Sequence, residues 1–330
     1  MTPAAGACRF LAAGNPRPVL EAALAASART DAALALVLDT EGSTYSRAGA
    51  MALFAGEGQA GWLSGGCLEP ELAQRAGQAA LGGRVDWIEI DTRDDEDLFS
   101  GSAVGCRGRL RIALLPLAAM AGIADVLQAW LQGGVVLERT VNDSGDVVLR
   151  TGERGAQWQL PAALPEWSGD VSRWSLPLAP LPEILLLGAG PESPALLRLL
   201  RELGWRTTLV EPRERWRDAG TLADAHHEAM DTALRDSRHY AAALVMHHGF
   251  ERDRDALDAL AATQVAFVGL LGPPRRRDDL LGLLSPSQRE VLAGRLHAPV
   301  GLDLGGQGPE AIALSVAAQL QQWRARTGEA

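Results

Sequence analysis

Two short segments hold the residues best able to do chemistry. Ser64-Gly65-Gly66-Cys67-Leu68-Glu69 puts a thiol in a glycine turn just ahead of a helix. A cysteine at a helix N-terminus gains thiolate character from unpaired N–H groups, which makes it a nucleophile or a soft-metal ligand. Glu69 and Glu71 oppose that negative charge, so only modest activation is expected. Gly65 and Gly66 allow a ligand close, and Ser64 adds a hydroxyl. The plainer alternative is that Cys67 fills space beneath the turn, as free cysteines often do. Cys106, in Gly105-Cys106-Arg107-Gly108, repeats the glycine-flanked setting, whereas Cys8 has none. No C-x-x-C or matching His spacing is present, so these thiols are not a zinc signature.

The second segment is Ile184-Leu185-Leu186-Leu187-Gly188-Ala189-Gly190-Pro191, a buried strand running into a phosphate-style loop. Glycines there let the backbone approach a phosphate while the next helix presents N–H groups. Gly188 and Gly190 fit the first two positions of G-x-G-x-x-G, with Ser193 at the third. Glu211 ends the next strand, where an acidic residue hydrogen-bonds ribose hydroxyls in dinucleotide sites. Arg213 beside it is placed to hold a phosphate, although Glu211 and Arg213 also read as a surface ion pair. His247 and His248 follow a later strand; neighbours on a strand face opposite ways, so they predict no metal site. Asp303, in Gly301-Leu302-Asp303-Leu304-Gly305-Gly306, is either a polar site group or a helix cap. A cysteine loop in one half and a nucleotide-like loop in the other predict a phosphorylated, thiol-reactive ligand held between two domains.

The elements around these loops divide the chain. At 330 residues it is too long for one ordinary core. We place the first domain at 1–150, a linker rich in proline and tryptophan at 151–182, and the second domain at 183–330. In the first, 19–27 reads as a helix, 33–38, 51–54 and 61–63 as strands, and the segment after Cys67 as an amphipathic helix. Strands 85–90 and 110–115 follow. In the second, strands 184–187, 207–210, 243–246 and 265–270 alternate with helices, ending in a helix from Pro309 that buries Ile312, Val316 and Leu320. Short apolar strands between amphipathic helices predict a parallel sheet covered on both faces. The fold class is therefore α/β, a mixed N-terminal domain plus a Rossmann-like C-terminal parallel sheet. A net charge of -10 argues against a nucleic-acid surface. With no apolar run of membrane length and no secretory signal, a cytoplasmic protein without membrane contact is expected. An odd count of three cysteines then reads as free thiols.

In combination the motifs are more specific. Gly42-Ser43-Thr44-Tyr45, the Ser64 to Glu69 and Gly105 to Gly108 motifs, Gly188-Ala189-Gly190-Pro191, Glu211-Pro212-Arg213, Gly269-Leu270-Leu271-Gly272 and the run from Gly301 to Pro309-Glu310 occur in an order that resembles the XdhC/CoxI family. The resemblance implies an N-terminal XdhC/CoxI domain and a C-terminal Rossmann domain. It implies a maturation factor, with catalytic activity of its own left open, that binds the molybdenum cofactor (molybdopterin), protects it during sulfuration, and inserts it into an apo molybdenum hydroxylase of xanthine dehydrogenase type. The implied partners are that hydroxylase and a cysteine desulfurase-type sulfur donor, with homodimer assembly left open. Cys67 and Cys106 carry over as molybdenum or sulfur contacts. Ser64, Gly65, Gly66, Gly188, Gly190, Glu211, Arg213 and Asp303 are the other cofactor-binding candidates. The chain departs from the family pattern at Ser46 and Ala48, at Arg107, and at His247-His248-Gly249. The alternatives are an NAD(P)-binding oxidoreductase, for which no acid or base is placed for hydride transfer, and a sulfur-transfer enzyme using Cys67.

Overall fold

Ala33, Ala35 and Val37 face one way along the first long strand and Leu34, Leu36 and Leu38 the other, and all six are buried. That strand is therefore central and covered on both faces. The computed structural model describes residues 15–56, 58–92, 107–133, 135–167, 171–235 and 240–327. Contacts divide the chain into Met1–Pro180 and Leu181–Ala330. Cys8 and Cys106 lie outside the described residues.

In the first unit β1 (Ala32–Gly42) lies between β2 (Met51–Ala55) and β5 (Gly108–Pro116), with β3 (Gly58–Ala60) and β4 (Asp86–Asp91) at the edges of a five-stranded antiparallel sheet. The third strand thus sits at 58–60, not 61–63, and leaves Gly61, Trp62 and Leu63 to enter the cysteine loop. Helix α2 (Glu69–Gly82) lays Leu72, Ala76, Ala79 and Ala80 on the alanine face of β1. Small residues on both sides let helix and sheet approach closely. Helix α1 (Arg17–Ala25) rests on β2 and meets α3 (Ile123–Gly133).

A second antiparallel sheet holds β6 (Leu137–Asn142), β7 (Asp146–Thr151), β8 (Arg154–Gln159) and β9 (Arg173–Ser175), in the order β8-β7-β6-β9. The stretch 151–182 therefore carries two strands of the first unit where the sequence reads as linker. Tryptophans supply the burial that such short strands lack: Trp158 and Trp174 are buried, and Trp174 lies 6.3 Å from both Trp87 and Trp167 between ring centroids. Buried Arg139 on β6 donates to Gly49 O and Leu176 O, each at 2.8 Å, which fixes the β1–β2 connection. Burial pushes its guanidinium down to about 10 against the opposing pull of Glu138.

The second unit is a parallel sheet of β10 (Glu183–Leu187), β11 (Arg206–Val210), β12 (Ala225–His227), β13 (Tyr240–Val245), β14 (Phe267–Leu270) and β15 (Leu296–His297). Its order, β12-β11-β10-β13-β14-β15, is that of a doubly wound dinucleotide-type fold, reversing between β10 and β13. Helices α4 (Ser193–Glu202) and α9 (Pro309–Thr327) cover one face; α6 (Phe250–Ala261), α7 (Pro274–Gly282) and α8 (Pro286–Ala293) cover the other, and α5 (Met230–Arg235) precedes β13. On α9 the buried stripe is Ala313, Val316, Ala317 and Leu320, while Ile312 is 38% exposed. Successive steps of three and four residues from 313 to 320 leave 312 at the rim.

Candidate functional site

In the first unit three sequence-distant loops meet at one end of the larger sheet. Ser43 N–H donates to Arg107 O at 2.9 Å, which ties the end of β1 to the start of β5. The fully buried Ser46 donates to Leu63 O at 2.6 Å, tying the same connection to the cysteine loop. Within that loop Ser64 is the hub. Its Oγ donates to Glu69 Oε2 and accepts from Gly66 N–H at 3.2 Å, Leu68 N–H at 3.1 Å and Cys67 Sγ at 3.6 Å. A hydroxyl has two acceptor lone pairs, so three donors oversubscribe it, and the weak S–H is the one most readily released. Cys67 is exposed, and beyond Ser64 and Gly66 nothing among the described residues lies within 4 Å of where a Gly65 side chain would begin. The thiol is therefore reachable from solvent.

The buried Glu69 carboxylate turns back from Cys67. Besides Ser64 Oγ, it accepts Ser64 N–H at 2.8 Å and Leu63 N–H at 3.1 Å. The expectation that Glu69 opposes a thiolate is thus weakened, because three donors answer its charge. Glu71 is exposed to solvent.

In the second unit the glycine loop follows β10 at the switch point. Gly188 has a φ of +97°, and a side chain there would come within 2.6 Å of the His247 backbone, so only glycine fits. The loop has little left to offer a phosphate. Gly188 N–H donates to Val210 O at 2.9 Å, Ala189 N–H to Glu211 Oε2 at 2.7 Å, and Gly190 N–H to Ser193 Oγ at 2.9 Å. Pro191 has no N–H at all. A Cβ on Gly190 would meet the Glu192 carboxylate at 2.5 Å and His248 Nε2 at 2.8 Å, so acidic and imidazole groups stand over the turn. His248 holds its place with a φ of 61° and a 3.3 Å contact to Glu192 Oε1.

Glu211 and Arg213 are spent on each other and on the loop. Glu211 accepts Arg213 N–H at 2.7 Å, Nε at 2.8 Å and Nη2 at 2.6 Å, and Arg213 also donates to Ala189 O at 2.7 Å and His247 O at 2.9 Å. Burial pushes the Glu211 carboxyl up, but the Arg213 side chain and the two backbone donors outweigh it and hold it below its usual range. Asp253, on α6, behaves alike: burial opposes its charge, and His247 Nδ1 at 3.2 Å with Arg276 Nη2 at 2.6 Å lower its carboxyl nonetheless.

Asp303 sits apart from this clasp, in a cleft shared with His248, Gly272 and residues at the start of α9. The structure thus groups Ser64, Gly65, Gly66 and Cys67 in one loop of the first unit, and Gly188, Gly190, Glu211 and Arg213 in one loop network of the second. Sequence reasoning did not single out Glu192, Asp253 or Arg276, and it noted Ser46 only as a departure from the family pattern. Glu192 carried the clearest signal, an acid between Pro191 and Ser193 where a phosphate loop has no use for one. Asp253 and Arg276 carried none, since contacts across elements bring them together. Among the described residues no group of three or more His, Cys, Asp or Glu side chains is arranged to hold a metal ion, and no helix is long and apolar enough to cross a membrane.

Comparison with known proteins covers both units. A family described as "XdhC and CoxI family" matches residues 25–89, and one described as "XdhC Rossmann domain" matches residues 184–320. The chain is 29% identical over 336 residues to a probable xanthine dehydrogenase subunit of Bacillus subtilis (strain 168), covering 95% of this chain and 98% of that protein. It is 30% identical over 148 residues to the uncharacterized protein YqeB of Escherichia coli (strain K12), 43% of this chain and 27% of that one. A crystal structure of a xanthine dehydrogenase from Bacillus halodurans matches with a TM-score of 0.73 and 27% identity, over 93% of this chain and 96% of that one.

Proposed function

The chain belongs to the XdhC/CoxI family, and from that premise we propose that it is a maturation factor that binds the molybdenum cofactor as cargo, shelters it while it is sulfurated, and delivers it to a hydroxylase of xanthine dehydrogenase type. The observation that carries this reading is the exposed Cys67, presented on the same loop as a Gly65 whose side-chain position is open. A thiol suits a soft metal centre. The bound cargo would supply the metal on which an oxo ligand is exchanged for sulfur. Ser64 and Glu69 orient the loop, and the oversubscribed Ser64 hydroxyl leaves the thiol free to turn toward the cargo. The partners in this reading are the apo-hydroxylase and a cysteine desulfurase-type sulfur donor, and the setting is the cytoplasm.

The closed glycine loop of the second unit counts against a dinucleotide oxidoreductase, since its N–H groups and both Glu211 and Arg213 are already engaged. One observation favours sulfur transfer by Cys67 itself. The Cys67–Ser64–Glu69 chain of hydrogen bonds gives the thiol proton a route away, and the resulting thiolate attacks the outer sulfur of a donor persulfide. Cys67 would then carry the new S–S bond, and the donor would leave as its thiol.

The test is to purify the chain from cells that make the cofactor and compare Cys67→Ala with Cys8→Ala. Retained molybdenum falls about tenfold with the first change, the scale at which groups around a metal act, and stays near wild type with the second. Equal retention by both variants would remove Cys67 from the site.

A further inference from the structure

Polar groups crowd the β10 side of the second unit's ligand-facing edge, but open volume lies on the β14 side. A cleft of about 430 Å³ is lined there by His248, Leu271, Pro299, Leu302, Asp303 and Ile312, among others. That size lies within the range of small-molecule sites, which combine apolar walls with a few orienting polar groups. Leu271, Pro299, Leu302 and Ile312 provide such walls. No lysine or arginine lines the cleft among the described residues, and its one carboxylate, Asp303, makes no hydrogen bond or ion pair among them. Ser315, the nearby hydroxyl, is already bonded to Leu302 O at 2.5 Å. The cleft therefore offers a free acceptor among apolar side chains and no lysine or arginine for a phosphate.

We propose that this cleft takes the donor edge of an amino-substituted heterocycle of pterin type, with Asp303 as its anchor. The inference rests on the cofactor reading above. A pterin places its 2-amino group and N3–H side by side, and a carboxylate accepts such a pair with both oxygens. Hydrogen bonds to a charged acceptor are the stronger kind, so the pair identifies the ring as well as binding it. In this arrangement the closed Gly188 loop holds no phosphate: its glycines and the Glu211–Arg213 clasp brace the edge beside the cleft.

The full chain, purified free of cofactor, is titrated with pterin and with lumazine, which has a carbonyl in place of the 2-amino group. Wild type binds pterin roughly tenfold more tightly than lumazine, and Asp303→Asn removes most of that preference by weakening pterin about tenfold. Asp303 is exposed, so the variant keeps its fold, which circular dichroism checks. Equal affinity for the two rings, no pterin binding, or a preference untouched by Asp303→Asn overturns the proposal. If the chain retains molybdenum cofactor while Asp303→Asn changes nothing, the cleft assignment fails and the maturation reading stands. If the chain never retains the metal cofactor yet shows a pterin preference that Asp303→Asn abolishes, the cleft assignment stands and the maturation reading fails.

Discussion

At the scale of single residues, hydrogen-bond accounting decides between chemistries that composition leaves open. Cys67 was legible as a candidate because a thiol among glycines is uncommon. The orientation of Glu69 was not, since its reach back to Leu63 and Ser64 depends on how the loop enters α2. Glu211 and Arg213 were legible as a pair, yet nothing in their spacing told that Ala189 and His247 would complete the clasp. That clasp has a pH signature. Glu211 and Asp253 both hold their carboxyls below the usual values of 4.5 and 3.8. The folded chain then binds fewer protons than the unfolded chain, so their stabilisation is fully present above those usual values and is lost as pH falls toward the lowered ones. Denaturant midpoints of the second unit should therefore drop between about pH 5 and about pH 3, with a shallower drop in Glu211→Gln. Parallel pH profiles in the two proteins would show that the clasp stores no such linkage.

Among the elements, legibility follows the strength of the period. The alternation of apolar strands with helices made the second unit readable, and β10, β11, β13 and β14 stand where the pattern puts them, within a few residues. The sheet of β6 to β9 was hidden because its strands are short and rich in polar residues. Its burial comes from tryptophans whose partners are distant in sequence, as with Trp158 Nε1 donating to Ala121 O at 2.9 Å. The α9 stripe was read correctly at Val316 and Leu320 and wrongly at Ile312, which makes a sharp contrast available. Leu320→Ala, at a fully buried site, should cost about 2–5 kcal/mol. Ile312→Ala, at the rim, should cost well under that, nearer the ~0.5 kcal/mol of surface changes. Urea unfolding followed through the second unit's transition measures both, and equal costs would contradict the placement of α9.

Over the whole molecule, the order of motifs made the family legible before any contact was known, because several short segments in register are far more specific than any one of them. What remained illegible was which loops are open. The Gly188 loop has the sequence of a phosphate cradle and the hydrogen bonding of a closed turn, while the Ser64 loop leaves its sulfur exposed. Fold and motif thus point to nucleotide chemistry, whereas the side chains point to a different guest. The most direct measurement is the amount of molybdenum and pterin bound per chain after purification from cofactor-producing cells, set beside an NADH titration of the same sample. The maturation reading predicts molybdenum and pterin in equal amounts approaching one per chain, with no saturable NADH binding up to about 1 mM. Saturable micromolar NADH binding by a chain that carries neither would contradict it.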